Sequence, residues 1–570
     1  MSLALGSLPE SGSVPTPPGE EAHMPAALEL ASGLSLSLTV SRWLAGRAFN
    51  DVEGARRFLS PKLAELTSPA EMLDRQAAAE RIARAIRARE RIAVFGDYDC
   101  DGITAAAVLS ELLRALDGDV TTLIASRFEG GYGVSPEAVT RIRATQATLL
   151  VTCDCGSSDH VSLAALKAHG VDVIVIDHHL VPAEPLPALA FLNPHRPECG
   201  FPYKGLASCG LAMSVGAAVR AVLGRTLDLR SVLDLVAIGT IADVAPLVGD
   251  NRALVRAGLA LLSEARRPGL RALFELAKIE RGLPLSAEDV AFRIAPRLNA
   301  PGRLGSPKLA LDLLIERNQD RADQLAGAIE QQTEQRRAIQ DRMLAEAESE
   351  IAERGFGDRS ALVLGREGWG SGIVGIVAGR LADKYERPVA VIGFENGHGR
   401  GSVRGPRGVP LHDALSQTSP LLVRFGGHQA AAGLEVRLER LEELREAFEA
   451  AVVAVGRDQS LQCRAPTTQL VPGDKLSRVL DDFALLEPCG EGNPSPELVV
   501  EAKLVRAKAV TGGHLKLELE LEGGERLGAF GVAMGARANE LPTQVVVSGR
   551  LRRDRYRGGD AAEIRISSVR

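Results

Sequence analysis

From about residue 76 the hydrophobic and polar positions alternate between two periods. "AAAERIARAIRARE" repeats its apolar residues at helical spacing, and the "RIAVFG" after it is a short apolar run that reads as a buried strand. "ITAAAVLSELLRALDG" predicts a helix stopped by Gly118. "VTTLIASR" predicts a strand, and "SPEAVTRIRAT" a helix capped by Ser135 with Pro136 at its first position. "ATLLVTCD", "HVSLAALKAHG" and "VDVIVIDHH" continue as strand, helix and strand, and "SVLDLVAIGTIADVAPL" extends the unit. Strands alternating with helices predict a doubly wound parallel sheet.

Residues 316 to about 354 are mostly charged, with apolar residues such as Leu325, Ile329, Ile339, Met343 and Ile351 at helical intervals. They predict a long, partly exposed helix connecting two lobes. A second, smaller α/β unit follows in "SALVLGREGWG", "GIVGIVAGRLADKY" and "RPVAVIGF". A Gly-rich "RFGGHQAAAGLEV" then leads to a helix around "LERLEELREAFEAAV". After "TTQLVPGD" the pattern becomes short alternating segments, and their length fits a small all-β barrel of the OB type.

A chain of 570 residues is too long for one core. Its hydrophobic (45%) and charged (25%) fractions are globular, and its net charge of −6 mildly disfavours a nucleic-acid binder unless a local basic groove exists. Seven cysteines without a framework suggest a reducing compartment. The first residues lack a basic start and an adequate apolar run, so no signal peptide is expected. No apolar stretch reaches about 18 residues, so no membrane span is expected, and the cytoplasm is the default.

The chemistry concentrates in "DYDCDG", residues 97–102. Its D-x-D-x-D-G start matches a calcium loop, but such a loop needs a glutamate at its twelfth position, here Val108, and follows a helix rather than a strand. Asp154 ends the strand "ATLLVTCD", Asp177, His178 and His179 end "VDVIVIDHH", and Asp243 follows the apolar run "AIGTIA". Ligands in open α/β sheets bind beyond the carboxyl ends of the strands. Asp and His without a thiolate-rich set suit Mn2+ or Mg2+, and the Cys153/Cys155 pair reads as packing around Asp154. Two such cations would relieve the repulsion among the carboxylates and serve displacement at phosphorus, with Asp154 the candidate bridge.

These segments resemble the DHH phosphoesterase superfamily: "GDYDCDGIT", "TCDCGSSD", "VIDHHL" and "GTIADVAPL" match its four motifs in order. Within it the chain is similar to the RecJ exonucleases through "SRFEGGYG", "NPHR", "IAPRLNAPGRLG", "GIVGIVAGRL", "FGGHQAAAGL", "GEGNPSPEL", "GHLKL" and "RYRGG". The first residues are Pro-, Gly- and Ser-rich, so residues 1–45 are expected to be a disordered or variable segment, and the resemblance implies a DHH domain over 46–250. It further implies a helical connector over 251–355, a DHHA1 domain over 356–462 and an OB-like nucleic-acid-binding domain over 463–570. It implies processive 5′→3′ hydrolysis of single-stranded DNA to mononucleotides in repair and recombination, by a monomer. Single-stranded-DNA-binding protein and a RecQ-type helicase are its implied partners. By the same resemblance Asp97, Asp99, Asp154, His178 and Asp243 hold two Mn2+ or Mg2+ ions, Asp101 and Asp177 support them, and His179 assists at the scissile phosphate.

For the nucleic acid it implies Arg127 at the entrance and Arg297, Asn299 and Arg303 between the lobes. Ser402, Arg404, Gly426, Gly427 and His428 are implied around a phosphate. Gly405 and Gly370 stand where the family pattern has Ser and His. The alternatives are another DHH enzyme acting on oligoribonucleotides or nucleotides, and an inactive scaffold that has lost its metal ligands. Seven arginines between Arg550 and Arg570 suggest a backbone-tracking edge, and Tyr556 alone offers little base stacking.

Overall fold

The computed structural model describes residues 23–428, 431–458, 467–554 and 561–570. They divide into two compact units: one contains residues 66 to 458 with Gly490–Gly492, and the other joins the chain up to Glu65 to the C-terminal portion from residue 467.

The larger unit opens with five strands, β1 (Arg91–Gly96), β2 (Asp119–Ile124), β3 (Leu149–Cys153), β4 (Asp172–Ile176) and β5 (Ala190–Leu192). All are parallel, in the order β2-β1-β3-β4-β5. β1, β3 and β4 are nearly continuous buried apolar runs, as a sheet covered on both faces requires. One face packs on the helices Pro136–Ala144 and His160–Ala168 through Ile142, Leu163 and Leu166. The chain leaves β1 in one direction along the sheet and returns to β3 in the other, so the crevice between these two strands is the topological switch point.

The apolar run before Asp243 is a helix, Leu233–Ala242, whose residues Leu233 to Ile241 are all buried. A short run apolar on every side has no period that separates strand from helix, and burial on all faces explains it. The expected long helix spans Gln319–Glu353. Five strands follow it: β6 (Leu362–Glu367), β7 (Val389–Glu395), β8 (His398–Arg404), β9 (Leu422–His428) and β10 (Ala431–Arg437), in the order β6-β7-β8-β10-β9. The Gly-rich "RFGGHQAAAGLEV" is thus the β9–β10 antiparallel pair.

In the smaller unit β11 (Thr467–Gln469), β12 (Glu497–Val510), β13 (His514–Glu520), β14 (Arg526–Gly531), β15 (Gln544–Arg553) and β16 (Ala562–Val569) form one sheet. Pairing of β12 with β15 closes five of them into a barrel around Leu498, Val500, Leu517, Val547 and Ile564. Of the disordered or variable segment expected over 1–45, the described residues 24–45 are folded. Residues 24–45 form the helices Met24–Leu34 and Leu38–Ala45, which with Val52–Leu59 pack on Val479 and Leu486. Asp482 accepts from the backbone N–H of Ser37 (2.6 Å), and Asp474 from the N–H and hydroxyl of Thr39 (2.8 and 2.7 Å). These partners lie more than 400 positions away, which is why a Pro- and Gly-rich start masked them. Residues 1–22 lie outside the described residues, as does Tyr556. The basic edge is partly neutralised, with Arg552 paired to Glu563 and Arg553 to Asp481.

Candidate metal centre

Asp97, Asp154 and Asp177 each stand one residue beyond a central strand. The ladder carries on through their backbone N–H groups, which donate to Cys153 O (3.2 Å), Ile176 O (2.9 Å) and Leu192 O (3.0 Å). This common position aims three carboxylates at the edge where the switch point lies. Asp154 adopts φ 65°, a left-handed conformation that a non-glycine residue holds at a cost. Asp99 caps the helix Cys100–Ala115, accepting from Gly102 N–H at 3.0 Å. That capping role disposes of the calcium loop, since Val108 lies buried in the middle of the helix.

Asp101 lies in the first turn of the same helix. Its two oxygens accept from the backbone N–H groups of Ser208 (2.7 Å) and Cys209 (3.0 Å), at the start of the helix Ser208–Leu223. A negative charge there is favoured by the helix dipole and holds the two helices together. Asp177 is saturated in the same manner. It accepts from the N–H groups of His178 (2.8 Å) and His179 (3.2 Å), from His179 Nδ1 (2.7 Å) and from Ser157 N–H (3.1 Å). Although burial opposes it, these donors hold its carboxyl below the usual range.

The remaining donors converge. His178 Nε2 is 3.2 Å from Asp154 Oδ1 and 3.7 Å from Asp243 Oδ2, and Asp243 is the residue that caps the buried helix Leu233–Ala242. Three sets of ligand atoms lie within 4.8 Å of one another: Asp97, Asp99 and Asp154; Asp101, His178 and Asp243; and Asp154, His178 and His179. Asp154 belongs to both the carboxylate-rich and the histidine-rich side, the position of a bridge.

A divalent cation fits this donor set. Asp97 Oδ1 and His178 Nε2 are buried without a hydrogen-bond partner among the described residues. Burial and then the charge of Asp99 push the carboxyls of Asp97 and Asp154 well up, and burial and the charge of Asp101 raise Asp243 to about 8. Burial holds His178 below the ordinary histidine range, leaving it neutral. Dehydrated like charges beside a neutral imidazole are costly alone and favourable around a cation.

His179 differs from its neighbour. Burial works against its charge, but the hydrogen bond and charge of Asp177 outweigh that and raise it to about 9. Tyr132 OH lies 3.1 Å from His179 Nδ1 and donates to Asp154 O at 3.1 Å, with its ring edge-on to the imidazole. Sequence reasoning missed Tyr132, although it stands in "SRFEGGYG". It also missed Ser208, whose hydroxyl donates to Asp154 Oδ1 at 2.9 Å. Nothing in the local pattern around Ser208 marks it.

The arginine expectations divide. The Arg127 guanidinium lies 4.4 Å over the Tyr98 ring, beside the carboxylates. Arg404 Nη1 donates to Ser402 Oγ (2.7 Å) and to Val403 O (2.8 Å), so these two side chains form one unit on β8. A Cβ on Gly375 would come within 3.2 Å of that hydroxyl, so glycine keeps the space beside it open. Arg303 donates to Gly372 O at 3.0 Å. Arg297 is buried and grips Glu330 of the long helix at 2.6 and 3.0 Å, so its guanidinium braces that helix. Asn299 is half-buried at the end of a short helix, and Gly426 and Gly427 are exposed on β9. The His428 side chain lies outside the described residues.

Fold and site together define a DHH-type phosphoesterase domain, and residues 91–240 match the DHH family N-terminal domain, 358–454 the DHHA1 domain and 470–568 the RecJ OB domain. The chain belongs to the RecJ family. It is 34% identical to the single-stranded-DNA-specific exonuclease RecJ of Salmonella typhimurium, over 86% of this chain and 89% of that one. The corresponding Thermus thermophilus protein is 36% identical over 86% of this chain and 70% of its own length. The Bacillus subtilis relative is 35% identical over 86% of this chain, and the chain spans 63% of that protein's length. The crystal structure of Thermus thermophilus RecJ in complex with Mn2+ superposes with TM-score 0.82 at 32% identity, covering 96% of this chain and 78% of that one. The same protein is known with Mg2+. No helix among the described residues is long and apolar enough to cross a membrane.

Proposed function

We propose that this chain hydrolyses single-stranded DNA from its 5′ end to 5′-mononucleotides, using two Mn2+ or Mg2+ ions. The observation that carries this is the sharing of Asp154 and His178 among three sets of metal-ligating groups at the switch point of the DHH sheet. Asp97, Asp99, Asp154, His178 and Asp243 hold the cations. Asp101 and Asp177 are positioning residues, each spending its oxygens on backbone N–H groups. The cations, when bound, supply neutralisation of the phosphodiester charge and activation of water. His179, a cation at neutral pH held between Asp177 and Tyr132, donates a hydrogen bond to a non-bridging phosphate oxygen at the rim of the site. Ser402 and Arg404 hold a further phosphate, and binding through phosphates leaves the enzyme indifferent to base sequence.

Repair and recombination, the cytoplasm, a monomeric state, and partnership with single-stranded-DNA-binding protein and a RecQ-type helicase belong to the same reading. It rests there on the family relationship. Retention of every candidate ligand argues against a scaffold that has lost catalysis.

The test compares 5′- and 3′-labelled oligonucleotides, single- and double-stranded, with Mn2+, Mg2+ or EDTA. Labelled mononucleotide should appear first from the 5′-labelled single strand, with duplex spared and EDTA silencing the reaction. Faster cleavage of a dinucleotide than of a long strand would instead favour a short-substrate DHH phosphoesterase. Arg404→Ala should raise KM about tenfold and flatten its salt dependence, with little change in kcat. An unchanged KM removes Arg404 from the DNA path.

A further inference from the structure

Buried guanidinium groups in the larger unit are commonly matched by carboxylates. Arg81 pairs with Glu90 and Asp172, Arg267 with Asp234 and Glu111, Arg297 with Glu330, and Arg445 with Glu350. Arg336 breaks this rule. It sits midway along the long helix Gln319–Glu353, 8% exposed, between the fully buried Thr333 and Gln340. Among the described residues its one hydrogen bond goes to a neutral amide, Gln340 Oε1 at 3.0 Å, and its Nε has no partner. One turn earlier Gln332 Oε1 is also buried and unpartnered.

A buried cation without an anion costs several kcal/mol, so such a group persists where a ligand supplies the charge. Two further arginines lie close by, half-buried and nearer the carboxylates of the site. Arg303 makes a single hydrogen bond, to Gly372 O, and Arg127 stacks on Tyr98 with its Nε buried and unpartnered. The backbone around Arg303 closes on Tyr98 and comes into ordinary contact with Gln332. A Cβ on Gly302 would stand 2.9 Å from Tyr98 O, and one on Gly305 would stand 4.0 Å from Gln332 Nε2. Burial and then the charges of Arg127 and Arg336 lower Arg303 to about 10, against the opposing charge of Asp99, so Arg303 is repelled by both neighbours. Planar guanidinium forks with no carboxylate in salt-bridge contact among the described residues match the tetrahedral oxygens of a phosphodiester.

We propose that Arg336 binds a backbone phosphate of the DNA, and that with Arg127 and Arg303 it forms a phosphate subsite adjoining the metal centre, so that the long helix is part of the substrate path. This rests on the exonuclease reading above.

The test is Arg336→Met, which keeps the apolar stem of the side chain and removes the charge. With a long single strand, KM should rise about tenfold, and the slope of log KM against log salt should fall by about 0.7, the value for one phosphate contact on a single strand. Without DNA and in a phosphate-free buffer, the variant should melt no lower than the parent, because an uncompensated buried charge has been removed. Added inorganic phosphate should raise the melting temperature of the parent more than that of the variant. Unchanged KM and salt slope in a protein that degrades single strands would overturn the proposal, as would a variant that melts several degrees lower. A parent that leaves single strands intact would instead defeat the exonuclease reading, and the phosphate melt would still decide whether Arg336 belongs to an anion site.

Discussion

Replacing Asp154 with Asn should abolish hydrolysis of 5′-phosphorylated single-stranded DNA, lowering turnover by about a thousandfold or more, while the metal-free protein melts at the same or a higher temperature. The two halves of this expectation share one cause. The Asp154 carboxyl is fully buried, faces Asp97, Asp99 and Asp243, and sits on a backbone at φ 65°. Without a cation its charge is unfavourable, and Asn removes that charge while tolerating the left-handed conformation better than most residues. With the cations it is the one group common to both sides of the site, and an amide cannot bridge them. Turnover assays and Mn2+ binding, followed by electron paramagnetic resonance, check the prediction. Near-normal turnover would defeat the metal assignment, and a marked loss of stability would show that Asp154 holds the fold rather than the metals.

The second large effect is expected from Gly102→Ala. The sequence suggests that Gly102 lets the chain turn sharply behind the carboxylates. In the structure it lies in the first turn of the helix Cys100–Ala115, and what it provides is room. A Cβ there would stand 2.6 Å from both the backbone N and O of Asp97, and a Cβ on Gly96 would stand 2.4 Å from Gly102 O. The end of β1 and the start of the helix therefore touch through two glycines, and that contact fixes Asp97 and Asp99 at their separation. Adding a methyl group against backbone atoms allows no rotamer escape. The variant should lose about 1–3 kcal/mol of stability, and activity should fall about a hundredfold, because displaced ligands misplace the reacting groups. Chemical denaturation and kcat measured at saturating Mn2+ separate the two effects. Full activity with a normal melting temperature would mean that the helix slides away without cost.

Asp97, Asp154, Asp177 and the two histidines were legible because each ends a strongly apolar strand. A strand's side-chain period and its polar end are local properties, readable from a few neighbouring residues. Asp243 was legible as a candidate, but the kind of element before it was not. That helix is buried on all faces, its polar Asp234 and Thr240 included, so no exposed polar face records its period. The short helices of residues 24–45 were hidden for a different reason: their caps and core partners come from Asp474, Asp482, Val479 and Leu486, far along the chain.

Among the arginines the sequence had no means of choosing. Arg297 and Arg336 both lie in helices, yet Glu330 pairs with Arg297, and among the described residues no carboxylate comes within salt-bridge distance of Arg336. By itself the sequence determined the alternation of strands and helices and the residue types delivered at the strand ends, since both depend on short-range periodicity. The tertiary structure alone decided the strand order that places β1 beside β3, which brings Asp97 next to Asp154. It likewise decided which charges are neutralised and which are left facing open space, because the partners of a charge are set by packing between distant segments.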